Sequence, residues 1–301
     1  MIPSGSRITY PSTSSSGAAT VEPAEVAAHW RAAGDDVAEL PWRIDAARAA
    51  DARRAGYAAA EHWTRALQIW PPDAAECCDP PVRRPQAWFA AMEGYDVSGH
   101  PERAEELVQQ ATKESGAWPD LDRAELLRRG CDYRDQRSHL GAGMPMLDEA
   151  IEIYRRLPPS GGFRRALGHK ALVLGYEGRS REAAELMAEA RASLTDADGA
   201  SALRSVLANS AWLDARMGRV GEALARMAEV VEMTPPEDDP LHELSVGMDH
   251  TDLLLMACHP PDEVERAARP GLVGSRTWGI ESFERSVLLA NVAIAWIRAG
   301  R

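Results

Sequence analysis

The chain has 301 residues, 45% of them hydrophobic, and a formal net charge of -12; that charge repels phosphate backbones and excludes direct nucleic-acid binding by these residues. No apolar run approaches the roughly 18 residues of a membrane helix, and the N-terminus lacks the apolar core of a signal peptide. The four cysteines, Cys77, Cys78, Cys131 and Cys258, include no CxxC pair, so they read as reduced structural thiols in a cytoplasmic protein.

Residues 1–20 are rich in Ser, Thr, Gly and Pro and carry too little apolar surface to offset ordering, which predicts a disordered tail. From 21 to 301 the sequence reads as one helical domain. Pro23 suits the first turn of a helix, and the segment it opens ends at Gly34. A second helix is expected over 37–55, broken by Gly56, and a third over 57–70, stopped by Pro71-Pro72. On the third, Ala59, Trp63 and Ala66 share a face and Pro71 follows. Small, aromatic, small, proline at this spacing is the second-helix pattern of a tetratricopeptide repeat. The proline-rich stretch 72–85 reads as a loop.

The next units repeat the theme. Trp88, Met92 and Tyr95 stripe one helix, Gly99 turns the chain, and Ala104, Val108 and Ala111 stripe the next. A third unit starts near Leu121 and ends on a helix carrying Ala150 and Tyr154. The fourth has Leu167, Ala171 and Leu174 before Gly178, then Ala183, Met187 and Ala190 after it. In the fifth, residues 202–217 and 221–234 form a helix pair around Gly218, with Ala211 on one helix facing Ala223, Met227 and Val230 on the other. The sixth is degenerate: 248–257, a His259-Pro260-Pro261 turn, then 262–268. A seventh begins at Ile280 with Leu289, Ala293 and Trp296 and stops at Gly300-Arg301.

The turn glycines Gly99, Gly178, Gly218 and Gly300 fall 79, 40 and 82 residues apart, a period of about 40 with one unit between the wider pairs. No segment reads as a strand. A lone helix pair cannot bury its apolar face and needs copies stacked beside it. The expectation is therefore an all-α, right-handed α-solenoid of tetratricopeptide-like antiparallel helix pairs, about six and a half in number. The last hairpin is truncated at 301, leaving Leu288, Leu289, Val292 and Trp296 uncovered and predicting self-association there.

The segments AEVAAHWRAAGD (24–35), AEHWTRALQIWP (60–71) and above all SRTWGIESFERSVLLANVAIAWIRAGR (275–301) resemble the helical-repeat region of actinobacterial LuxR-family transcriptional regulators with an AAA-type (STAND) ATPase. The resemblance covers about 22–301, and similar repeats follow ATPase modules in some bacterial nucleotide cyclases. It implies the effector-sensing or partner-binding middle of such a regulator. The family's Walker A loop and helix-turn-helix have no counterpart here, so ATP and DNA binding do not transfer to these residues. A free-standing adaptor for protein–protein interaction is the alternative.

No catalytic constellation is visible. There is no GxSxG elbow and no HExxH, His250 and His259 would lie on opposite helix faces, and the Asp73–Asp79 loop reads as solvated charge. The expectation is a scaffold without catalytic residues, metal or cofactor. First helices of stacked pairs line a concave groove, so the candidate binding residues are Tyr95, Asn209, Trp212, Arg216, Asp252 and Asn291. An Arg and an Asn on one helix suit a carboxylate or carbonyl of a peptide partner or small-molecule effector.

Overall fold

The computed structural model describes residues 22–72, 74, 76–195, 200–233 and 240–300. The expected tail at 1–20, the expected helix end at 234 and Arg301 lie outside the described residues. A leading helix α1 (Pro23–Ala33) precedes six antiparallel pairs. These are α2 (Asp36–Ala52) with α3 (Gly56–Gln68), α4 (Arg84–Val97) with α5 (Pro101–Thr112), and α6 (Asp120–Arg137) with α7 (Met144–Tyr154). They continue as α8 (Gly161–Tyr176) with α9 (Ser180–Ala192), α10 (Ala200–Arg216) with α11 (Val220–Glu232), and α12 (Pro240–Met256) with α13 (Pro261–Trp278). A last helix, α14 (Phe283–Arg298), follows. The chain is thus an all-α solenoid.

The repeat stripes are what hold it together. Ala59, Ala66, Ala104, Ala111, Ala183, Ala190, Ala211 and Ala223 are fully buried, and Met92, Met227 and Val230 fill the space they leave. Small residues let the paired helices approach, and each buried large side chain contributes about 1.5–3 kcal/mol. The turn glycines Gly99, Gly178, Gly218 and Gly300 all take left-handed backbone, with φ of 74 to 82°. In the two pairs where the sequence offers no glycine there, Arg54 (φ 58°) and Cys258 (φ 56°) take the same conformation.

Several expected boundaries shift, each for a physical reason. Gly56 does not break α2, which ends at Ala52; it opens α3 instead. A Cβ on Gly56 would lie 2.8 Å from Ser98 Oγ, and one on Gly94 would lie 2.6 Å from the Gly56 carbonyl. The two glycines therefore serve the crossing of α3 and α4. In the 72–85 stretch, read as a loop without strands, Glu76–Cys77 and Val82–Arg83 pair as a two-stranded antiparallel ribbon. Two residues per strand are too few to show alternation. Helix α13 does not stop at 268 but runs through Pro270 to Trp278. Its neighbours hold it: the bare Gly271 packs on Leu288 and the backbone of Glu243.

The end of the array also differs from expectation. Leu288 is not uncovered; it is fully buried in a cluster with Leu244, Ala268 and Ile280. The buried stripe of α14 is Leu288, Asn291 and Ala295, whereas Leu289 and Ala293 face solvent and Trp296 is half-buried.

The array curves far enough to meet itself. The Glu281 backbone N–H donates to the Val97 carbonyl at 2.8 Å. A Cβ on Gly99 would lie 2.9 Å from the Glu281 carbonyl, and the Arg54 guanidinium lies 3.2 Å from the centroid of the Trp278 ring. The segment joining α13 to α14 thus rests on the turns of the first two pairs and encloses a curved interior lined by the first helices.

Candidate functional site

Residues of α4, α8, α10, α12 and α14 reach this interior. On α8 and α10, Tyr176 and Trp212 pack with ring centroids 4.5 Å apart and planes tilted by 43°. The Arg216 guanidinium lies over both rings, 4.5 Å from Tyr176 and 5.4 Å from Trp212. Cation–π attraction and ring packing fix this trio as one aromatic-cationic wall. On α12 and α14, Asn291 donates to Asp252 at 2.8 Å and to Thr251 at 3.0 Å. Asp252 and its neighbour Asp249 also act electrostatically on Tyr176, which places this acidic wall beside the aromatic one.

The interior carries carboxylates without a direct partner among the described residues. Among the described residues, no hydrogen bond or ion pair reaches the side chains of Asp96, Asp249 or Glu284. Burial pushes the Asp249 carboxyl up to about 8, and the negative charges of Asp252 and Glu284 push the same way. Burial, Glu284, Asp132 and Glu93 together raise Asp96 to about 7, against the opposing charge of Arg129. Helices α4, α12 and α14 therefore aim acids into one space where Asp249 and Asp96 hold protons near neutral pH and would release them on meeting a cation. Burial also raises Asp252, against the opposing hydrogen bond from Asn291.

Elsewhere the first helices neutralise their charges carefully. Buried Glu39 accepts from Arg43 at 2.6 Å and from Arg65 at 2.6 Å. Arg128 bridges Glu125 at 2.8 Å and Asp132 at 2.6 Å. His169 on α8 donates to Asp132 at 2.8 Å and to Asp135 at 2.9 Å, tying α8 to α6. Burial opposes the charge on His169, but the two carboxylates outweigh it and hold the imidazolium well above its ordinary range.

Cys131, Asp135 and His169 bring one possible ligand atom each within 4.8 Å of one another. Both ring nitrogens of His169 already face carboxylates, so this cluster works as an imidazolium clamp between two units. Sequence spacing could not reveal it, because His169 comes from a different pair.

Of the six sequence candidates, Trp212, Arg216, Asp252 and Asn291 meet in the two walls. Asn209 packs against the neighbouring helix: a Cβ on Gly168 would lie 2.1 Å from its amide nitrogen. Tyr95 stands apart, 1% exposed, with its hydroxyl donating to Glu61 and its ring edge-on to Tyr57. The sequence reading did not include Asp96, Tyr176, Asp249 and Glu284. Tyr176 was findable, since it precedes Gly178 by two residues as Arg216 precedes Gly218.

The chain matches no known protein-family profile and no curated protein. It is similar to a solved tetratricopeptide repeat protein from Parabacteroides merdae, with a TM-score of 0.53 and 12% identity, over 90% of this chain and 98% of that one. The fold is that of a tetratricopeptide-like solenoid. No described helix is long and apolar enough to cross a membrane.

Proposed function

We propose that this chain is a non-catalytic scaffold whose curved interior binds an extended partner segment carrying basic side chains. The observation that carries the reading is the set of unpaired carboxylates Asp96, Asp249 and Glu284, converging from three first helices. Leaving carboxylates unpaired in a half-buried space costs stability, and a Lys or Arg side chain entering there would remove that cost. Tyr176, 47% exposed and backed by the buried Trp212, offers the same segment an aromatic surface. Anisotropy titrations with fluorescein-labelled ten-residue peptides of basic, neutral and acidic composition test the reading. The basic peptide is expected to bind at least tenfold more tightly, and Asp96→Asn, Asp249→Asn, Glu284→Gln together should abolish the preference. Equal binding of all three peptides would overturn it.

A narrower reading makes the scaffold the sensing middle of a LuxR-type ATPase regulator. It draws on the sequence phrase at 275–301. Sequencing the flanking DNA tests it: an in-frame Walker A loop upstream and helix-turn-helix downstream support it. Their absence leaves the free-standing adaptor.

A further inference from the structure

The seam where the array meets itself contains a cavity of about 420 Å³, a volume within the usual range for small-molecule sites. Its walls come from both ends of the array. The first two pairs supply Asp51, Gly56, Gly94 and Val97, and the last pair and its linker supply Trp278 and Ile280. The close crossing at Gly56 and Gly94 leaves the floor with little more than backbone and Ala90. Val97, Ile280 and the half-buried Trp278 ring make the sides apolar.

The polar groups are few and of one dominant sign. The carboxylates of Asp51, which accepts from the Trp63 indole at 3.0 Å, and Glu93, which faces Arg129 at 3.4 Å, stand at the exposed rim with one oxygen each left over, and Arg54 is the single cation among the lining residues. That guanidinium is already engaged, lying 3.2 Å from the Trp278 ring centroid. Its backbone takes φ 58°, the same left-handed conformation as the turn glycines of other pairs. The indole face therefore already attracts a cation, and the rim favours positive charge over negative.

We infer that the seam cavity is a binding site for a small organic cation, an ammonium carried on an aromatic or alkyl body. The body lies on the apolar floor against Trp278, and the ammonium sits at the rim between Asp51 and Glu93. Because its walls come from opposite ends of the array, an occupant ties those ends together and favours the closed curvature. This inference is independent of peptide binding in the interior.

The test uses phenethylamine as the probe, with its anionic counterpart 3-phenylpropionate as control, followed by the indole N–H signals in two-dimensional NMR. The Trp278 signal is assigned by its loss in Trp278→Phe. Phenethylamine is expected to shift that signal saturably, with a Kd on the order of 1 mM for so small a ligand. Asp51→Asn with Glu93→Gln should weaken binding at least fivefold. The triple interior variant Asp96→Asn, Asp249→Asn, Glu284→Gln should leave it unchanged, which separates this site from general attraction to the acidic interior. A missing or unsaturable shift, an equal response to 3-phenylpropionate, or loss of binding in the interior variant would overturn the assignment.

Discussion

Replacing Asp249 by Asn should stabilise the protein at alkaline pH and do little in acid. The folded carboxyl is held at about 8, against an ordinary value of 3.8. At 1.36 kcal/mol per pKa unit, that difference corresponds to about 6 kcal/mol. Asp249 keeps part of its surface in solvent, and screening there leaves about a third of it, or ~2 kcal/mol. The sign follows from proton counting. Between pH 4 and pH 8 the folded chain holds a proton at Asp249 that the unfolded chain has released, so stability falls as pH rises through this window. Below the unfolded value both states are protonated and the contribution vanishes. Urea unfolding of wild type and Asp249→Asn at pH 8.5 and pH 4.5 measures it. The variant should gain ~2 kcal/mol at the higher pH and nearly nothing at the lower. A variant equally or less stable at pH 8.5 would refute the reasoning, because it would mean that Asp249 finds a partner in solution.

Other perturbations act on the frame that holds the interior. His169→Leu should cost about 3 kcal/mol at pH 6 by leaving the Asp132 and Asp135 carboxylates without their shared partner, read by urea unfolding. Because the folded pKa of His169 is raised, its stabilisation is complete below the unfolded value near 6.5 and lost as pH rises through the folded one, so the penalty should shrink in alkali. Gly94→Ala should destabilise by about 1–3 kcal/mol, since its Cβ would press on the Gly56 carbonyl; an unchanged melting temperature would show that α3 and α4 separate freely. The exposed Leu289 and Ile297 on α14 should drive concentration-dependent self-association, measured by sedimentation velocity. Leu289→Glu with Ile297→Glu should return the chain to monomer.

The repeat architecture was legible because its signal is local. Small residues seven apart with a larger one at offset four, and glycines at a period of about 40, mark the helix pairs whatever lies around them. The stripe of α14 misled for the same reason. Leu289, Ala293 and Trp296 match the helical period, but only the neighbouring helices decide which of two apolar faces is covered, and Leu288 is on that face. The two short strands at Glu76 and Val82 gave no pattern to read.

The candidate site was legible in part. Trp212, Arg216, Asp252 and Asn291 follow from knowing that first helices line the groove. The convergence of Asp96, Asp249 and Glu284 does not, since it depends on how far the array curves. That curvature is a sum of small rotations between pairs, and contacts such as Glu281 with Val97 span too much sequence for any spacing rule. The seam cavity and the His169 clamp are hidden in the same way.

The central claim, that a basic segment binds inside the curve, is tested most directly by locating one there. A basic ten-residue peptide carrying a nitroxide label should broaden the Trp212 indole signal, which belongs to the aromatic wall, and spare that of Trp30 on α1. Broadening of Trp30 with Trp212 unchanged would place the segment on the outside and contradict the account.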